Sequence, residues 1–190
     1  MLRPLVCPLQ ILIGLRQQQP NYYRTIRRAM SQKMDFASKV RTCLWFDGNG
    51  EEAVNYYVSL LPDNSKIENV VKKPDGSVLV MEFTLSNVPY MILNGGPYYA
   101  LSPCVSISVL TEDQEETDRL WEALTSNGGH GSNCGWLVDR FGLSWQIIPK
   151  AMPRMLSSPD REAAGRAHAA MGEMKKIDIA KMEAAFSGSE

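Results

Sequence analysis

The sequence predicts an α+β domain made of two βαβββ-type modules, the second of them abbreviated, with a C-terminal helical tail. Two observations lead to this prediction. Between residues 40 and 97 the patterns of a strand, a helix and three further strands follow one another, and a shorter series in the same order runs from residue 103 to residue 149. From residue 150 onward, apolar residues recur at helical spacing.

The first module begins with a strand and a helix. Val40–Phe46 has the pattern of a strand, and the next four residues, Asp47–Gly50, are typical of a turn. Asn49, with Glu52 three residues later, indicates a helix N-terminus. The helix is predicted from apolar residues at helical spacing, which are Ala53, Tyr57, Leu60 and Leu61.

Three strands complete the first module. They are predicted at Lys66–Val71, Val78–Leu85 and Pro89–Asn94. Turn residues separate them, Pro74–Gly76 in the first connection and Ser86-Asn87 in the second, and both connections are typical of β-hairpins.

The second module repeats this order with fewer strands. Pro103–Leu110 alternates as a strand, and Thr111 with Gln114 forms a capping box for a helix that is predicted to run to about Ser126. Each small sheet has a face that it cannot bury alone, so we expect the two modules to share a core. The remaining strands are predicted at Cys134–Asp139 and Gly142–Ile148.

Two helix start signals define the tail. Ser158, followed by Pro159, is predicted to cap a long helix, and Asp178 is predicted to cap a last short helix that ends at Phe186. An apolar stripe at helical spacing is more often core or interface than a cofactor site. We therefore expect the tail to pack on the domain or on a second subunit through the stripe of Ala163, Ala167, Met171 and Met174.

The first 34 residues carry six of the 20 basic side chains and none of the 21 acidic ones. This composition is typical of a mitochondrial presequence, and an over-extended start with Met30 or Met34 as the initiator explains it equally well. A secretory signal fits less well because Pro8 interrupts the apolar stretch Leu5–Leu15. The sequence predicts a mitochondrial location if the leader is real and a cytoplasmic one otherwise.

The predicted organisation is a disordered or targeting leader at 1–38, a domain at 39–149 with modules at 40–97 and 103–149, and a helical tail at 150–190.

Beyond that leader the chain is acidic, with 14 basic and 21 acidic side chains. A basic footprint is the first requirement for binding nucleic acid, so we expect no nucleic-acid partner. No run of apolar residues is long enough for a membrane span, so we expect no membrane partner. The four cysteines are scattered without a C-x-x-C spacing, which indicates reduced thiols rather than a disulfide framework.

Strand alternation predicts a set of small polar side chains on the strands. Either they lie on a sheet face that water covers, or two curved sheets close around a cavity that they line. Asn94, beside Gly95-Gly96, is placed either for contact with a ligand or for forming a turn. The full polar set is Thr42, Glu82, Thr84, Cys104, Ser106, Ser108, Ser144 and Gln146. The predicted ligand-binding residues are Thr42, Glu82, Asn94, Cys104, Ser106 and Gln146.

Four separated motifs resemble a known family. They are LWFDGNGEEAVNYY (44–57), LNGGP (93–97), CGWLVDRFGLSWQIIP (134–149) and MKKIDIAKMEAAF (174–186), and they closely resemble PhnB-like proteins of the vicinal-oxygen-chelate superfamily, which includes glyoxalases and bleomycin-resistance proteins. The resemblance covers about residues 40–186. It implies paired βαβββ modules and a homodimer in which strands or modules are exchanged between subunits.

Members of this family often carry the label of a 3-demethylubiquinone-9 3-methyltransferase. A common methyltransferase binds its cofactor at a glycine-rich turn between a strand and a helix of a parallel sheet. Gly48 and Gly50 follow a strand and precede a helix, but the predicted unit continues into hairpins rather than into a second parallel crossover. The sequence therefore gives the label little support.

The resemblance also implies positions for a metal ion. Metal-using relatives place His, Glu or Gln at strand positions that fall near Thr42, Asn94, Cys104 and Gln146 in this chain, a set without histidine or carboxylate. We therefore predict no cofactor. The alternative is a weakly held divalent ion that uses Glu82 and Gln146.

Two functional hypotheses follow from these residues. The first is a metal-free homodimer that binds a small molecule in a cavity lined by uncharged hydrogen-bonding groups. The second is a metal-dependent lyase, isomerase or dioxygenase of the glyoxalase type, in which an ion would act as a Lewis acid. Methyl transfer is the third and least supported alternative.

Overall fold

The computed structural model of the protein describes residues 38–189. The first module comprises β1 (Thr42–Phe46), α1 (Gly50–Leu60), β2 (Lys66–Lys72), β3 (Val78–Leu85) and β4 (Val88–Asn94). The second comprises β5 (Ser106–Thr111), α2 (Gln114–Thr125), β6 (His130–Gly131), β7 (Trp136–Val138) and β8 (Ser144–Pro149). The tail contains α3 (Ala151–Leu156), α4 (Arg161–Gly172) and α5 (Ile179–Ser187).

The two modules have the same topology. The strand orders are β1-β4-β3-β2 and β5-β8-β7-β6, with a parallel pair at β1–β4 and at β5–β8 and antiparallel pairs elsewhere. The predicted fold class is confirmed. The second module has four strands where the sequence predicted three, because β6 has only two residues and such a length shows no alternation.

The helix-bearing faces of both sheets contribute to one buried core. Helix α1 supplies Ala53 and Val54, which are fully buried, and α2 supplies Leu120 and Leu124. Burial of such side chains is the main source of stability in a small domain. The strands add a larger set, namely Leu44, Phe46, Met81, Phe83, Ile92, Leu137, Trp145 and Ile147.

A buried carboxylate links the two modules through this core. Asp139 is 3% exposed, and its Oδ2 accepts hydrogen bonds from the hydroxyl of Tyr57 at 2.7 Å and from the indole nitrogen of Trp145 at 2.8 Å. Its Oδ1 accepts from the backbone N–H groups of Phe141 and Leu143. Burial, followed by the charge of Asp139 and the hydrogen bond to it, raises the pKa of Tyr57 far above its ordinary value. Tyr57 therefore stays a donor throughout the accessible pH range.

Two of the predicted helix caps are wrong. The residue that caps α2 is Asp113 rather than Thr111, because β5 extends through Thr111 and delays the helix start. The residue that caps α4 is Asp160 rather than Ser158, and its carboxylate accepts two backbone N–H groups of the first turn. A carboxylate at this position also complements the helix dipole. The predicted cap of the last helix, Asp178, is confirmed.

The tail packs on the second module. The side chain of Gln114 donates to the carbonyl of Ile177 at 3.1 Å and accepts from the backbone N–H of Ile179 at 2.8 Å. The backbone N–H groups of Cys134 and Gly135 donate to the carbonyls of residues 174 and 175. A second apolar cluster, formed by residues of the tail, comprises Met155, Ala167, Ile177 and Met182.

An ion pair at this junction leads to a pH prediction. A hydrogen bond from Lys176, at 2.7 Å, and a second one from Gln114 hold the pKa of Asp118 below its usual range. A carboxyl with a lowered pKa stabilises the folded state above its unfolded pKa, near 4, and this contribution is lost as the pH falls through the folded pKa.

Acidification from pH 5 to pH 3 is therefore expected to lower the amide protection factors of residues 174–187, taken relative to the intrinsic exchange rate at each pH. Because the pair is more than one third exposed, the loss amounts to about 0.5 kcal/mol after screening. In Asp118→Asn this part of the pH dependence should disappear. An identical acid response in that variant and in the wild type would show that the ion pair does not hold the tail.

Two further sequence predictions concern the leader and membrane spans. The predicted leader lies outside the described residues, apart from residue 38. Among residues 38–189, no helix is long and apolar enough to cross a bilayer.

Candidate functional site

Each sheet has a second face, opposite the face on which α1 or α2 packs. In the first sheet, the pairing of Cys43 with Met91, of Met91 with Glu82 and of Val80 with Leu93 places these side chains on this second face. In the second sheet, the pairing of β5 with β8 and of β7 with β8 defines the equivalent face. We call these two surfaces the open faces. The open face of the second sheet bears Ser106, Ser108, Leu110, Trp136, Ser144, Gln146 and Ile148.

Glu82 lies on the open face of the first sheet and is 6% exposed. Its Oε1 is 2.7 Å from Nη1 of Arg41, and its Oε2 accepts a hydrogen bond from Nδ2 of Asn69 at 3.3 Å. The guanidinium neutralises the carboxylate, which makes Glu82 a poorer ligand for a cation than a free carboxylate. Beside it, the hydroxyl of Thr84 is buried and has no hydrogen-bond partner among the described residues.

Ser106 and Gln146 are brought together on the open face of the second sheet. Nε2 of Gln146 donates to the hydroxyl of Ser106 at 2.8 Å. On the same face of β8, Ser144 is 1% exposed, and its hydroxyl has no hydrogen-bond partner in the part of the chain that the structure describes. A buried hydroxyl without a partner costs about 1–3 kcal/mol. This face therefore offers unfilled hydrogen-bonding capacity.

Asn94 does not lie with these residues. Its side chain is on the helix-bearing face, where Oδ1 accepts the backbone N–H of Gly50 at 3.0 Å and Nδ2 donates to the carbonyl of Val78 at 3.0 Å. Asn94 is 5% exposed, and both the oxygen and the nitrogen of its amide are hydrogen-bonded. Asn94 thus caps the N-terminus of α1, for which Asn49 makes no side-chain cap. The sequence did not predict this structural role, and a ligand-binding role for Asn94 stays a prediction.

Thr42 and Cys104 are also separate from the open-face residues. Thr42 shares the helix-bearing face of β1 with Leu44 and Phe46 and is exposed at the start of the strand. Cys104 is exposed in the segment before β5, two residues short of the strand. Of the six predicted site residues, only Ser106 and Gln146 are in contact, while Glu82 lies on the other sheet. Their role in ligand binding stays a prediction.

The described residues do not provide a metal-binding cluster. Among them, no three His, Cys, Asp or Glu side chains come together in a way that could hold an ion. The buried carboxylate of the open faces, Glu82, already faces Arg41. The donor set of residues 38–189 therefore does not fit a metal ion held by histidine and carboxylate ligands.

A cleft of about 480 Å³ was not expected from the sequence. It lies between the end of β1, the linker that joins the modules and the turn between β7 and β8. The only sequence signal was Tyr98-Tyr99, two aromatic residues that follow the Gly95-Gly96-Pro97 break and remain exposed. The cleft is lined by Trp45, Phe46, Asp47, Asn49, Pro97, Tyr98, Tyr99, Ala100, Leu101, Phe141 and Gly142.

Comparison with known families gives a match over most of the folded part. A family model described as 3-demethylubiquinone-9 3-methyltransferase matches residues 38–148. The tail lies beyond this match. A comparison with curated proteins finds no match.

Solved structures resemble the same part of the chain. The PhnB protein from Bacillus cereus is 29% identical, with a TM-score of 0.55 over 59% of this chain and 99% of its own. Protein PA1353 from Pseudomonas aeruginosa is 20% identical, with a TM-score of 0.48 over 60% of this chain and 98% of its own. The fosfomycin resistance protein FosX from Listeria monocytogenes is 11% identical, with a TM-score of 0.49 over 65% of this chain and 99% of its own.

Proposed function

The chain belongs to the PhnB-like 3-demethylubiquinone-9 3-methyltransferase family of the vicinal-oxygen-chelate superfamily, and from this premise we propose that it binds a small molecule as a metal-free homodimer. The observation that carries the proposal is the open face of the second sheet. There, the paired Ser106 and Gln146 lie on the same face as the buried, unpartnered hydroxyl of Ser144. Uncharged donors and acceptors on an apolar background suit selective binding of a neutral polar ligand.

The apolar residues of the same face support the homodimer. Leu110 shares the face with Ser106 and Ser108 and is 55% exposed, and Val105 is 57% exposed just before the strand. Exposed apolar surface on a sheet is commonly covered by a partner. A second copy that set the first sheet of one subunit against the second sheet of the other would enclose Glu82 and Gln146 in one cavity. The resemblance to the family favours this pairing.

The metal-dependent alternative has one supporting observation, the buried carboxylate of Glu82. A Lewis-acid centre needs several charged or imidazole ligands, and here Arg41 already compensates that carboxylate. Methyl transfer has less support, because each sheet contains a single parallel pair rather than the doubly wound sheet that commonly binds such cofactors. A fold alone does not specify chemistry, so binding remains the better supported proposal.

Native mass spectrometry of the full chain, purified without chelator, tests this proposal. A metal-free dimer is the expected result, and a retained small-molecule mass would identify the ligand class. A dimer that carries a stoichiometric divalent ion would contradict the metal-free proposal. A monomer at micromolar concentration would contradict the homodimer.

Replacing Gln146 by alanine tests the open face directly. Gln146 is half-buried and its side chain makes one hydrogen bond, to Ser106, within residues 38–189, so the free energy of unfolding should change by no more than about 1 kcal/mol. Occupancy of any ligand retained by the wild type should fall, as measured by native mass spectrometry. A loss of several kcal/mol in urea unfolding would instead place Gln146 in a structural network.

A further inference from the structure

The aromatic cleft does not include the polar residues of the open faces, although Trp45, which pairs with Leu93, lies on the open face of the first sheet. None of Glu82, Ser106, Ser144 or Gln146 lines it. Its volume of about 480 Å³ lies within the range of small-molecule sites. The cleft joins residues of both modules, since Phe141 belongs to the second module and Trp45 to the first. The cleft can therefore bind a ligand other than the one proposed for Ser106 and Gln146.

The wall formed by Trp45 is held in place. Its indole nitrogen donates to the carbonyl of Gly96 at 2.8 Å, and Tyr99 packs edge-on against it with ring centroids 4.8 Å apart. A Cβ atom at Gly95 would lie 2.2 Å from Cζ2 of Trp45, so only glycine permits this close approach. The indole is therefore a preorganised surface rather than a mobile side chain.

Two tyrosines leave aromatic surface uncovered in this cleft. Tyr98 is 69% exposed and Tyr99 is 46% exposed. Aromatic rings expose a negative π-face, which attracts an organic cation placed within about 6 Å of the ring centre. The chain itself uses this interaction next to the cleft, where the guanidinium of Arg140 lies 4.7 Å from the ring centroid of Phe141.

Asp47 supplies the charge. It is the one acidic or basic side chain that lines the cleft, and it is exposed. Within residues 38–189 its carboxylate has neither a hydrogen bond nor an ion pair. Arg140, the cation beside the cleft, is paired with Glu52 at 3.0 Å and does not compensate Asp47. A cleft with aromatic walls and one free carboxylate selects for positive charge.

From this combination we infer that the cleft binds a small organic cation, with an ammonium or quaternary ammonium group, against Asp47 and the rings of Trp45, Tyr98 and Tyr99. The carboxylate attracts the charge, and the rings cover the alkyl groups around it. The acidic excess of the chain beyond the leader raises the local concentration of cations and disfavours anions. A flat neutral aromatic compound is the competing ligand class.

Titration of the full chain with benzyltrimethylammonium chloride tests the inference, with benzyl alcohol and sodium benzoate as matched neutral and anionic probes. Binding is followed by calorimetry and by the indole N–H signals in ¹⁵N–¹H spectra, with Trp45 assigned from Trp45→Phe. The cation should bind at least fivefold more tightly than benzyl alcohol and shift the Trp45 signal. Equal affinity for the cation and the alcohol would overturn the inference in favour of a neutral aromatic ligand.

Three variants localise the binding. Asp47→Asn should weaken binding of benzyltrimethylammonium about threefold to tenfold, and Tyr98→Ala about twofold to fivefold. The matched control is Asp63→Asn, an exposed aspartate in the turn after α1 that does not line the cleft. An effect of Asp63→Asn equal to that of Asp47→Asn would show general charge attraction and contradict the site. Both aspartates are exposed, so neither change is expected to prevent folding.

Discussion

Replacing Asp139 by alanine is expected to lower the free energy of unfolding by about 4 kcal/mol or more. The carboxylate accepts four hydrogen bonds, two of them from Tyr57 and Trp145 and two from backbone N–H groups. Without the acceptor, these buried donors are left unpaired, and each costs about 1–3 kcal/mol. Few single substitutions have so large an effect. Urea unfolding followed by circular dichroism measures it.

Two milder changes keep this prediction testable if Asp139→Ala does not fold. Asp139→Asn should cost about 2 kcal/mol, because the amide retains one acceptor but its nitrogen cannot accept the indole N–H of Trp145. Tyr57→Phe removes one donor and leaves the carboxylate with three partners, so it should cost about 1 kcal/mol. If all three variants unfold within 0.5 kcal/mol of the wild type, the network does not stabilise the fold.

Replacing Gly135 by alanine should cost about 3 kcal/mol. Gly135 has a φ of +83°, and a Cβ atom there would lie 2.7 Å from the carbonyl oxygen of Ile147 and 3.0 Å from Cδ1 of Ile148. The backbone conformation costs about 1–2 kcal/mol for an L-residue, and the contact with backbone atoms adds a term of similar size. Thermal unfolding of the full chain would show the loss as a lower Tm.

Gly76→Ala is the matched control for this change. Gly76 has a φ of +87°, but an added Cβ atom would have no neighbour within 4 Å. Its cost should therefore be limited to the backbone term of about 1–2 kcal/mol. Equal losses at Gly76 and Gly135 would show that the close approach at Gly135 does not contribute. Because Gly135 also donates to the carbonyl of residue 175, Gly135→Ala should in addition raise amide exchange in the tail.

Local patterns predicted most of the fold. The apolar alternation of Val78–Leu85 and the helical spacing of Ala53 and Tyr57 depend only on neighbours in sequence, and both elements form as predicted. The N-cap residues of α2 and α4 were misplaced because several polar residues precede each helix. The point at which the preceding segment ends decides which of them caps the helix. Competition of this kind cannot be resolved from the sequence.

The candidate site was predictable in part. Strand alternation placed Ser106 and Gln146 on one face, and the register of β5 with β8 brings them into contact. The structural role of Asn94 was not predicted because its partners, Gly50 and Val78, lie 44 and 16 residues away in sequence. The aromatic cleft is assembled from three separated segments, and no local pattern indicates that these segments meet.

The hydrogen bond between Tyr57 and Asp139 spans 82 residues and lies inside a core that both modules share. Neither module retains a complete apolar interior when the other is removed. The two modules should therefore unfold in a single cooperative transition. A protease that cuts the linker between them at exposed Tyr98 should leave two fragments that remain associated until denaturant is added. The two modules therefore form one folding unit, although the chain repeats the same strand order twice.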